Sequence, residues 1–87
     1  MFPREFKEIS TLLLEECRVA SKTLVTAESC TGGLVSACLT EIPGSSDVFT
    51  HGFVTYSNNT KIEILNVSEN LIEQAGAVSE EVAVAMA

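Results

Sequence analysis

A serine at the mouth of a strand–turn–helix is a candidate nucleophile, and a lysine that can be held without its proton is a candidate base. Ser29 and Lys61 are such a pair, with Tyr56 between them in the sequence. Ser29 follows the short β-branched stretch around Thr23-Leu24-Val25-Thr26-Ala27 and opens Ser29-Cys30-Thr31-Gly32-Gly33. A serine there sits at a sheet edge, open to a ligand. The glycines remove side chains, so the N–H groups of Cys30, Thr31, Gly32 and Gly33 can approach an oxyanion or a phosphate. First-turn N–H groups have no helical partner in any case. A nucleophile and its oxyanion hole could therefore share a few residues. The plainer alternative for Ser29 or Thr31 is an N-cap hydroxyl; for Gly32-Gly33 it is close helix–strand packing. The segment is neither a Walker loop nor GxGxxG, because no GKS or GKT follows.

The base must come from elsewhere. If the strand ending at Tyr56 lies beside the first, Tyr56 reaches the same edge as Ser29, and the turn Ser57-Asn58-Asn59-Thr60 folds Lys61 back across it. A lysine serves as base when burial or a cationic neighbour lowers its pKa. The tyrosine hydroxyl could relay the proton or orient the lysine. Against this, Tyr56 reads simply as a strand-end aromatic with its hydroxyl in water, and Lys61 as a solvated charge in a helix first turn, where a cation is mildly unfavourable. His51, the single histidine, lies mid-strand, well over about ten ångströms from that edge. It reads as a surface or core residue. Cys30, at a helix N-terminus that favours a thiolate, is the rival nucleophile; its plainer reading is a small buried hydrophobe. Cys17 and Cys38 fall on apolar helix faces.

The elements that must position these groups are short. Phe2, Phe6, Ile9, Leu13, Cys17 and Ala20 recur at steps of three and four, which predicts an amphipathic helix to about Ala20 with Pro3 in its first turn. A strand follows at Thr23–Ala27. Leu34–Leu39 reads as a helix apolar nearly all round, hence buried. Pro43–Asp47 is a turn, and Val48–Tyr56 a second strand in which Gly52 marks a bulge or a close backbone approach. Ser57-Asn58-Asn59 caps a helix to Leu65. Ser68 caps another, closed by Gly76, and Ser79 with Glu80 and Glu81 opens a last one. That helix meets no stop signal before Ala87, and two strands are few for an independent sheet. The expectation is a single domain over residues 1–87, incomplete by itself.

Composition bounds the rest. The 87 residues carry 46% hydrophobic and 20% charged residues, a globular balance, and can hold one domain at most. A net charge of −7 disfavours nucleic acid and anionic membranes as partners. Three cysteines without CxxC spacing and one histidine leave no basis for a disulfide framework or a His-rich metal centre, and reduced thiols point to the cytoplasm. No apolar run could span a bilayer. Arg4, Lys7, Arg18 and Lys22, on or near the first helix, read as solvent-facing.

Taken together, Thr26-Ala27-Glu28-Ser29-Cys30-Thr31-Gly32-Gly33, Pro43-Gly44-Ser45-Ser46, Gly52-Phe53-Val54-Thr55-Tyr56-Ser57-Asn58, Lys61 and Gly76-Ala77-Val78-Ser79-Glu80-Glu81 resemble the CinA C-terminal domain family. The resemblance runs from about Phe6 to Ala87 and corresponds to the N-terminal half of longer family domains. It implies a three-layer α/β/α fold with a mixed sheet. It also implies hydrolysis of nicotinamide mononucleotide to nicotinate mononucleotide and ammonia, with no metal or other cofactor. Ser29, Tyr56 and Lys61 take the positions of the family's catalytic serine, tyrosine and lysine. The expected partner is that small nucleotide, with a homo-oligomer covering the sheet edges. The alternative expectation is a non-catalytic nucleotide-binding or assembly module of the same family.

Overall fold

The computed structural model describes residues 1–87 as an α/β fold. Helix α1 (Arg4–Val19) leads into strand β1 (Leu24–Glu28), helix α2 (Leu34–Thr40), a 3-10 turn at Ser45–Asp47 and strand β2 (Phe49–Val54). Helices α3 (Asn58–Leu65), α4 (Glu69–Ala75) and α5 (Glu80–Met86) complete the chain. The strands pair in parallel, joined by the α2 crossover, so both C-terminal ends emerge at one sheet edge. Glu28 lies opposite Val54, and the Thr55 N–H still donates to the Glu28 carbonyl at 2.9 Å. β1 thus extends one residue further than its β-branched composition implied, and β2 stops two short of Tyr56.

Alternation assigns the faces. Thr26, Glu28, Gly52 and Val54 face α2: a Cβ on Gly33 would meet Val54 Cγ2 at 3.7 Å. Gly52 marks a close approach, because a Cβ there would come within 2.5 Å of Thr26 Oγ1 and 2.7 Å of Ser36 Oγ. The irregularity in the ladder lies instead at Leu24/Val25, where β2 has one residue extra. Val25, Ala27 and Phe53 belong to the opposite face and line a cavity of about 250 Å³ with Leu65 and Met86.

Two apolar cores result. Leu14, Leu39, Ile42 and Val48 pack with Cys17, Leu24 and Phe49; Val67, Ile72 and Val82 pack with Ile62, Leu65, Leu71, Ala77 and Met86. The stripe that docks α1 differs from the expected one. Ser10 and Leu14 are buried and Cys17 half-buried, whereas Phe6, Ile9 and Leu13 remain exposed. α1 carries two overlapping apolar stripes, and docking on α2, with Ser10 Oγ 3.3 Å from Cys38 Sγ, selects one. α2 is likewise only half covered: Leu39 is buried, but Leu34 and Val35 are exposed. Arg18 is not a free surface charge, since it forks onto Asp47 at 2.7 and 2.8 Å and contacts Glu15 at 2.6 Å, tying α1 to the 3-10 turn.

The radius of gyration is 14.4 Å, against about 12 Å for a compact domain of this length. The excess reflects the uncovered faces of α1, α2 and the sheet. Ser57, Ser68 and Ser79 each accept a hydrogen bond from the N–H three residues on, so all three expected caps are present.

Candidate active site

The turn between β1 and α2 depends on backbone that few residues adopt. Gly32 (φ 60°) and Gly33 (φ 103°) are left-handed, which is the reason for glycine here rather than tight packing. Into this turn points a side chain to which sequence reasoning assigned no role. Glu28, 4% exposed, accepts five hydrogen bonds. Its Oε1 receives the Thr31 hydroxyl at 2.7 Å and the N–H groups of Val35 at 2.9 Å and Gly33 at 3.2 Å. Its Oε2 receives the Ser36 hydroxyl at 2.6 Å and the Ser36 N–H at 3.0 Å. Ser36 has a single hydroxyl proton, which goes to the carboxylate, so Thr26 Oγ1, 2.8 Å away, donates to Ser36 Oγ. Burial pushes the Glu28 carboxyl upward, but the Ser36 and Thr31 hydroxyls and the Ser36 and Val35 N–H groups outweigh it and hold it down at about 2.

This carboxylate occupies the helix terminus that an exogenous anion would otherwise use. Gly33 donates to Glu28 and Gly32 donates to the Ser29 carbonyl at 3.0 Å. Of the four N–H groups expected to hold an oxyanion, those of Cys30 and Thr31 remain without an acceptor. Ser29 stands half-buried beside them. The signal that could have found Glu28 was present: an acid at the strand end, one turn ahead of a helix N-terminus, with hydroxyls three and eight residues on.

The second strand end is built differently. Tyr56 is 75% exposed at the edge, and Ser57 caps α3. Lys61, in the first turn and a half of α3, is 2% exposed and forms neither an ion pair nor a side-chain hydrogen bond. Its side chain is therefore largely packed against the fold rather than extended into solvent. Thr55, 1% exposed, carries the single fully buried side-chain polar atom without a partner, Oγ1. Ser29, Tyr56 and Lys61 thus all follow parallel strand ends at one edge, as the element order implied. His51 is exposed on the strand, its ring edge-on to Phe53 at 5.3 Å and its Nδ1 2.9 Å from Thr50 Oγ1. Cys30 is exposed rather than a buried hydrophobe; all three cysteines are free.

The model of the CinA C-terminal domain matches residues 6–87. The chain belongs to this family. Among curated relatives, a CinA-like protein of Prochlorococcus marinus subsp. pastoris is 51% identical over all 87 residues, and one of Geotalea uraniireducens 49%. The chain spans 20% and 21% of these two relatives. Among solved structures, a competence/damage inducible protein of Agrobacterium tumefaciens superposes with a TM-score of 0.95 at 41% identity, over the whole chain and 53% of that protein. A CinA superfamily protein of Enterobacter cloacae gives 0.90 at 35% identity, over 94% of this chain and 48% of that one. The chain therefore spans about half of the solved family structures and about a fifth of the curated relatives. No helix is long and apolar enough to cross a membrane.

Proposed function

We propose that the chain carries the nucleophile-bearing part of a serine amidohydrolase that converts nicotinamide mononucleotide to nicotinate mononucleotide and ammonia. The observation that carries the reading is Lys61, a buried lysine without a counter-ion at the sheet edge that presents Ser29. Acting as the base, Lys61 takes the Ser29 hydroxyl proton as Ser29 Oγ attacks the carboxamide carbon. The oxyanion is held by the free N–H groups of Cys30 and Thr31. Tyr56 at the rim orients the lysine or relays its proton. The Lys61 ammonium then protonates the leaving nitrogen, ammonia departs, and water releases the acyl group from Ser29.

The test is ammonia release from nicotinamide mononucleotide by the purified chain. Ser29→Ala should abolish it, and turnover unchanged by that substitution would overturn the reading. A second reading, an assembly module, is favoured by the exposed Phe6, Ile9 and Leu13 on α1. It predicts association of the chain with no Ser29-dependent release.

A further inference from the structure

Ser29 opens two linked turns. The Gly32 N–H donates to the Ser29 carbonyl at 3.0 Å, so residues 29–32 close a four-residue turn with Cys30 and Thr31 at its centre. The Leu34 N–H donates to the Thr31 carbonyl at 3.0 Å and closes the next. These bonds leave the peptide group between Cys30 and Thr31 untied: neither the Cys30 carbonyl nor the Thr31 N–H has a partner. Both residues are exposed, so packing does not fix that group either. An oxyanion donor is effective only when its direction is set before the charge develops. One side chain supplies the constraint. The Thr31 hydroxyl donates to Glu28 Oε1 at 2.7 Å, and the buried carboxylate is anchored in turn by the N–H groups of Gly33, Val35 and Ser36.

We infer that Thr31 is a positioning residue for the oxyanion hole: its hydroxyl, tied to the Glu28 carboxylate, holds the peptide group between Cys30 and Thr31 in one orientation and so keeps the Thr31 N–H in one direction beside Ser29. The inference rests on the serine amidohydrolase reading above and deepens it. The bond runs the wrong way for a helix cap. A capping hydroxyl accepts from an N–H, whereas this one gives its proton away, and α2 has no side-chain cap bond from Gly33, its N-cap residue. Nor does Glu28 depend on it, since four other donors reach the carboxylate. The negative charge appears only after Ser29 Oγ has added to the carboxamide carbon, so loss of the tether acts on the chemical step rather than on substrate binding.

Thr31→Val keeps the β-branch and removes the donor; Thr31→Ser keeps the hydroxyl. Thr31→Val should lower kcat for ammonia release from nicotinamide mononucleotide by about tenfold or more, with KM changed by less than about twofold. Thr31→Ser should restore most of the turnover. A second readout needs no turnover. The residue 31 amide should show a backbone 15N order parameter of about 0.85 in the parent chain and in Thr31→Ser, falling toward about 0.6 in Thr31→Val, with the Val35 and Ser36 amides unchanged. Ser29-dependent release that Thr31→Val leaves intact would overturn the inference and spare the amidase reading. Absence of Ser29-dependent release, with the residue 31 amide loosened as described, would overturn the amidase reading and support the tether. An order parameter at residue 31 equal in Thr31→Val and the parent chain would overturn the inference whatever the activity. So would loosening that spreads to Val35 and Ser36, because the hydroxyl would then be holding the helix start.

Discussion

Each strand of this chain runs into a helix, and the two junctions treat buried polar groups in opposite ways. At the first, Glu28 takes five donors and ends the β1–α2 turn with the Thr31 and Ser36 hydroxyls and most N–H groups engaged. At the second, Thr55 and Lys61 are at least as deeply buried; Thr55 Oγ1 has no partner and Lys61 is in no ion pair. A satisfied buried network contributes rigidity; an unsatisfied one costs stability and persists where something else needs it. The first junction is a scaffold that presents Ser29 and two free N–H groups. On the proposed reading, the second supplies the base.

The contrast breaks most visibly at Lys61. Lys61→Met keeps an unbranched chain of similar length and removes the unpaired nitrogen. Turnover of nicotinamide mononucleotide should fall by about a thousandfold, the scale of a lost general base, while the thermal midpoint holds or rises. A large drop in stability would show that the amine is structurally engaged and would sink the contrast.

Glu28→Gln should do the reverse, acting first on folding. A glutamine must turn its NH2 toward donors that now meet a carboxylate, so at least one buried N–H loses its acceptor. The expected loss is about 3 kcal/mol in urea unfolding. The pH dependence sharpens this point. The native Glu28 carboxyl lies at about 2, below its ordinary 4.5. Its contribution is therefore complete above about 4.5 and is lost as pH falls toward and through about 2. Acid unfolding curves should show this loss in the parent chain, and Glu28→Gln should flatten it. Equal acid sensitivity in both proteins would mean that another carboxyl governs the transition.

The smallest effect belongs to Gly52→Ala. Its new Cβ would press on Thr26 Oγ1 and Ser36 Oγ, at 2.5 and 2.7 Å, disturbing the Thr26–Ser36–Glu28 relay without removing a member. About 1–3 kcal/mol of destabilisation is expected, the usual cost of overpacking. A neutral result in the same unfolding assay would show that the relay has room to shift.

Much of this arrangement was legible before any fold was known. Ser57, Ser68 and Ser79 declare three helix starts because a cap bond closes within four residues and needs no distant partner. The order strand, helix, strand, helix brings Ser29, Tyr56 and Lys61 to one edge once the strands pair in parallel. Gly52 announced either a bulge or a close approach, and the crowding around it shows the second. Other features were less accessible. α1 holds two apolar stripes, and periodicity does not say which one docks. α2 is apolar all round, yet Leu34 and Val35 stay exposed. Cys30 matches a buried hydrophobe by type and is open to solvent.

What the sequence determined by itself is the local grammar: element order, caps, the glycine turn and the residue types at its ends. These depend on interactions a few residues long. Tertiary structure decided the state of each chemical group. It made Glu28 a bound anion rather than a surface acid, left the Cys30 and Thr31 N–H groups free while engaging those of Gly32 and Gly33, and enclosed Lys61 without a counter-charge. Burial and hydrogen-bond saturation depend on which segments meet, and in this chain those segments come from both sides of the sheet.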